Sequence, residues 1–96
     1  MATYGAGGAR SKLNVTAATV VKPTPGTVFK VVIVTAPTAA GGIYDSASTT
    51  GLSATNLIDP IGTGVTSSQV IDLTWPCSVG ITIDPGTGGV VSVSFT

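Results

Sequence analysis

The order of apolar and polar positions carries most of the structural information in this chain. Residues 79–84 alternate cleanly, with Val79, Ile81 and Ile83 set against Gly80, Thr82 and Asp84. Residues 90–95 do the same, placing Val91, Val93 and Phe95 on one side and Ser92 and Ser94 on the other. A period of two over four to eight residues is the pattern of a half-buried strand. Residues 69–75 put Ile71, Leu73 and Trp75 in one phase, which assigns the tryptophan to the core side, with Pro76 closing the strand. Residues 13–21 form a further strand with Leu13, Val15, Ala17 and Val21 inward, and a short one covers residues 43–45.

Residues 28–35 break the rule. Phe29, Val31 and Ile33 make one face, yet the other carries Val28, Lys30, Val32 and Val34 and is apolar except for one lysine. A strand apolar on both sides is covered on both sides. Either residues 46–64 fold back over that second face, or another molecule does. Three valines left in water would form the kind of patch that marks a protein contact.

Turn chemistry punctuates these runs. Pro23-Thr24-Pro25-Gly26 stops one strand and launches the next, because proline removes a ladder donor and glycine opens a turn. Asp84-Pro85-Gly86-Thr87-Gly88-Gly89 predicts a turn joining the last two strands as a hairpin. Residues 46–64 are the least patterned; a helical turn near 53–57 or an irregular connection fits them, and so long a stretch either carries function or hides a strand. Val and Thr abound and Leu occurs only at positions 13, 52, 57 and 73, a vocabulary of strands rather than helices. The expectation is an all-β fold, a small β-sandwich or jelly-roll-like barrel of about six to seven short antiparallel strands. Residues 1–12, rich in Gly and Ala, form a flexible N-terminal arm, and residues 13–96 a single domain.

Composition narrows the function classes. Of 96 residues four are basic and four acidic, and neither His nor Glu occurs. A balanced, sparse charge offers no footprint for nucleic acid. No apolar run approaches the roughly 20 residues of a membrane helix, and the N-terminal residues lack the apolar stretch of a signal peptide. Cys77 has no cysteine to pair with, and one Cys without His supplies no zinc site. Asp45, Asp59, Asp72 and Asp84 are spread along the chain, most of them beside turns where Asp bonds backbone. No nucleophile has a His base, and no phosphate-cradling Gly motif is complete. No catalytic, metal or cofactor-binding residues are therefore assigned, and the chain is expected not to be an enzyme.

What remains is binding. Val28, Lys30, Val32 and Val34 on the second face, with Tyr4, Arg10 and Lys12 from the arm, are the interface candidates. Trp75 and residues 46–64 offer an alternative, a surface that stacks on sugar rings.

Several segments also carry a resemblance. Residues 16–22 (TAATVVK), Pro25-Gly26-Thr27-Val28-Phe29, Gly42-Ile43-Tyr44-Asp45, Pro76-Cys77-Ser78-Val79-Gly80-Ile81 and Pro85-Gly86-Thr87-Gly88 before the Val-rich residues 90–93 follow one another in order. Over about residues 15–95 the chain resembles small virion structural proteins of tailed bacteriophages, of the capsid decoration or cement type. The resemblance implies a β-sandwich made in the host cytoplasm that sits on the outer capsid surface. There it would bind the major capsid protein as a homo-oligomer, a dimer or trimer, and clamp neighbouring capsomers. Some members of the group sit on tails or fibres instead, where a host-surface or glycan recognition role is implied.

Overall fold

The computed structural model describes residues 9–96, and Tyr4 lies outside them. It is all-β, with eight strands: β1 (Arg10–Val15), β2 (Thr19–Lys22), β3 (Gly26–Thr35), β4 (Gly41–Asp45), β5 (Leu57–Ile61), β6 (Val70–Cys77), β7 (Ile81–Asp84) and β8 (Val90–Phe95). They form two four-stranded antiparallel sheets, ordered β1-β8-β3-β6 and β2-β7-β4-β5. The inward residues of both sheets meet in one core, where Val28, Val31 and Ile33 of β3 and Val91 and Val93 of β8 join Ile43, Ile61, Ile81 and Ile83 of the other sheet. This is a small β-sandwich, and the alternation of residues 81–84 and 90–95 places it correctly on both sides.

Connectivity departs from the sequence expectation in three places. The strand expected over 13–21 is two strands, β1 and β2, in different sheets. β1 already starts at Arg10, inside the expected arm. The last two strands are not a hairpin, because β7 and β8 belong to opposite sheets and the segment between them is an arch. A turn signature fixes local backbone geometry but does not say whether the next strand pairs or crosses over. The arch is locked by Asp84, whose Oδ1 accepts the Gly86 N–H at 2.9 Å, and by a bridge between Ala39 and Thr87.

Residues 46–64 hide a strand, β5, which pairs with β4. Before it, one turn closes from the Asn56 N–H to the Ser53 carbonyl at 3.2 Å. β5 contains Pro60, and β6 runs through Pro76 to Cys77 rather than stopping there. Both are edge strands, where a missing N–H leaves no gap in the ladder.

β3 departs from the alternation expected over residues 28–35. Val28 is fully buried in the core and is withdrawn as an interface residue, while Phe29 is only half-buried. The cause is a register shift between Val28 and Lys30 in both ladders of β3. Two residues of β3 there span a single step of β8, so the side-chain phase slips and Val28 joins Val31 and Ile33 inside. Val32 and Val34 remain on the outer side as expected, with Lys30.

Candidate functional site: the outer face of the β1-β8-β3-β6 sheet

The two outer faces of the sandwich differ. On the β2-β7-β4-β5 sheet Thr82 points away from the core yet is fully buried, flanked by its cross-strand partners Val20 and Tyr44. Its hydroxyl donates to the Ser46 carbonyl at 2.7 Å. The Tyr44 ring and Leu57 crowd over Gly42, where a Cβ would lie only 2.7 Å from Leu57 Cδ1. That face covers itself.

The other outer face is open. Antiparallel partners share a side of the sheet, so the register Val32↔Val70 and Val32↔Ser92 puts these three residues in one outward row. Lys30, Asp72 and Ser94 make a second row one step along. β1 adds Ser11, partnered with Ser94, and Leu13. Leu13 was expected inside; it is 67% exposed because β1 also shifts register between Lys12 and Val15, around Asn14 at φ 55. Val70, at 52%, and Val34, at 46%, are the other large apolar side chains laid open here.

The relief of this face follows from side-chain size. Between Leu13 on β1 and Lys30 and Val32 on β3, β8 contributes the small Ser92 and Ser94, which leaves a trough of about 220 Å³. No residue of 46–64 lines it, so that segment does not cover the second face of β3. The serines also complete the backbone. Ser94 Oγ accepts the Lys30 N–H at 3.2 Å, and Ser92 Oγ accepts the Asn14 N–H at 3.3 Å. Each serves an amide at a register shift in a neighbouring strand.

Of the interface candidates, Lys30, Val32 and Val34 thus share one face. Arg10 and Lys12 are exposed on the adjacent edge strand β1, and Val28 is core. Leu13 and Val70 were missed. A phase argument could have found Val70 opposite Ile71, but no sequence signal betrays the slip at Asn14.

Trp75 is also corrected. It pairs with the buried Val28, on the core-facing side of the sheet, but β6 is an edge strand and leaves the indole 49% exposed and outside the core cluster. Val79, expected inside, is 53% exposed.

The titratable groups are structural. Asp45 accepts the backbone N–H groups of Ser78 at 2.9 Å, Val79 at 2.8 Å and Gly80 at 3.2 Å. Burial pulls its carboxyl upward, but these three donors outweigh burial and hold it below the ordinary value. Cys77 is buried; desolvation, then the nearby Asp45 charge, push its thiol up to about 11 against a weaker opposing hydrogen bond. It is a neutral thiol at pH 7 and a poor nucleophile. Among the described residues no three His, Cys, Asp or Glu side chains come together as a metal site requires.

Fold and site together define a class: a small antiparallel β-sandwich with one self-covered and one open outer face. Comparison with protein families, curated proteins and solved structures returns no match for the chain.

Proposed function

We propose that this chain is a non-enzymatic virion structural protein, a capsid decoration or cement protein of a tailed bacteriophage. In this role it binds the major capsid protein on the outer capsid surface and stabilises the contacts between capsomers. The observation that carries the reading is the open face bearing Leu13, Val32, Val34 and Val70 on a chain with so little charge. Contiguous exposed apolar groups on a small domain favour a protein partner, and zero net charge removes the repulsion that would keep copies apart on a crowded lattice. The resemblance to decoration proteins points the same way.

A map of intact particles tests the proposal. Density for the sandwich at regular lattice positions, with a fixed copy number per particle, is the expected result. Particles that lack the chain, or carry it only at the tail, would overturn it.

Trp75 supports a second reading. A half-exposed indole on an edge strand is a stacking platform for a sugar ring, as a host-surface or glycan recognition module would need. Glycan-array binding abolished by Trp75→Ala would favour that role over the capsid one.

A further inference from the structure

The sandwich restricts how it can associate. All four of its sheet edges carry a feature that discourages strand addition. β5 and β6 contain Pro60 and Pro76, β1 shifts register beside Lys12, and β2 is four residues long and shifts register at Lys22. Prolines, bulges, edge lysines and short strands are the usual means of keeping edges from pairing. These devices act at the edges and leave the outer face open to packing. Association by continuing a sheet is disfavoured, and association through the face is not.

The face is also complementary to itself. Across the order β1-β8-β3-β6 one row reads Leu13, Ser92, Val32, Val70, and the next reads Ser11, Ser94, Lys30, Asp72. Consider a second copy turned by a two-fold axis that runs parallel to the strands between β8 and β3. β3 then lies over the partner's β8, and β6 over the partner's β1. Val32 enters the trough above the other copy's Ser92, and Leu13 meets the other copy's Val70. Lys30 and Asp72 fall opposite hydroxyls, those of Ser94 and Ser11. Apolar groups face apolar groups or the trough, and neither charge meets its like. A two-fold parallel to the strands aligns the strands of the two copies, within the small angles at which sheets pack, and so keeps the central rows opposite.

We propose that this face is the contact of an isologous homodimer, with β3 of each copy seated in the β8 trough of the other. The inference rests on the face being a contact surface, as proposed above, and names its occupant as a second copy of the chain. Strands about 4.8 Å apart and some 20 Å long give a face of about 400 Å², below the roughly 800 Å² per partner of a standard complex. A contact of this size belongs with weak or transient complexes.

Sedimentation equilibrium of the purified chain between about 1 μM and 1 mM tests the arrangement, with circular dichroism to confirm that each variant folds. Val32→Asp is expected to raise the dimer dissociation constant by about 100-fold or more. Leu13→Asp and Val70→Lys each weaken it by about tenfold, and the double variant recovers most of that loss. Leu13 and Val70 sit three strand spacings apart, about 14 Å, so recovery can only come from pairs between copies. A monomer at every concentration overturns the dimer, as does a dimer untouched by Val32→Asp. Single variants that weaken without recovery in the double overturn the two-fold pairing. Dimerisation is read on the free chain and lattice occupancy on intact particles, so either proposal can fail while the other stands.

Discussion

The hydroxyl of Ser94 accepts the backbone N–H of Lys30 at 3.2 Å, where β3 slips its register against β8. The slip leaves the Lys30 amide without a regular ladder partner, and a short polar side chain on the neighbouring strand supplies one. Because of it, Val28 turns into the core and Lys30 turns out.

The slip makes two valines of one strand respond differently to truncation. Val28 is fully buried, so Val28→Ala is expected to cost about 2–3 kcal/mol in lost burial and residual cavity. Val34, on the open face, is expected to lose no more than about 0.5 kcal/mol as Ala. Urea unfolding of the monomer separates them. Equal losses would mean that β3 keeps a regular phase.

Two of the places where sequence reasoning failed share this cause. β8 is regular, so Val91, Val93 and Phe95 were legible from alternation alone. Trp75 keeps its phase and is exposed because β6 is an edge strand, whereas Leu13 and Val28 each lie beside a register shift, where an extra residue slips the side-chain phase. Asn14 and Thr74 take positive φ there without the glycine that would have announced it. The partition of strands between sheets was illegible for another reason. The Asp84-to-Gly89 turn specifies its own hydrogen bonds, whereas the sheet that receives β8 is chosen by pairing with β1 and β3, distant in sequence. Lys30 and Val32 still fall on the outer side and Val34 is still exposed, because β3 alternates regularly from Lys30 to Ile33.

Asp45 fastens the end of β4 to the turn before β7 through three backbone donors. Its folded pKa is lowered, so its contribution is fully present above the unfolded value, about 3.9, and is lost as pH falls through the folded value. Asp45→Ala is expected to be about 2 kcal/mol less stable at pH 7, since hydrogen bonds to a charged acceptor are the stronger kind. The difference should shrink in acid. Denaturant curves at pH 7 and near pH 3 check this, and a gap independent of pH would show that the charge is not what matters.

Gly86 holds the arch between the sheets at φ 86, and a Cβ there would overlap the Ala39 carbonyl oxygen. Gly51 has a similar φ of 80 but open space around it. Gly51→Ala is expected to cost about 1–2 kcal/mol, the left-handed penalty alone. Gly86→Ala should cost distinctly more, because the arch must also move. Thermal melts of the two variants read the difference, and equal shifts would mean that the arch yields freely.

Cys77 contributes a loss of stability in alkali. Its thiol is raised to about 11 in the fold, against about 8.5 for an exposed cysteine. A group with a raised folded pKa stabilises the fold fully below its unfolded value, and that contribution is lost as pH climbs toward the folded one. Between about pH 8.5 and 11 the unfolded chain ionises at Cys77 while the folded chain does not, so stability should fall through that window. Cys77→Ala is expected to be about 1 kcal/mol less stable at pH 7, from lost packing, and to show a flatter decline above pH 9. The same burial predicts that a thiol reagent at pH 8 labels native protein only as fast as the chain opens, and reacts at once in denaturant. Rapid labelling of the folded protein would place the thiol at the surface and remove the cause of the alkaline loss.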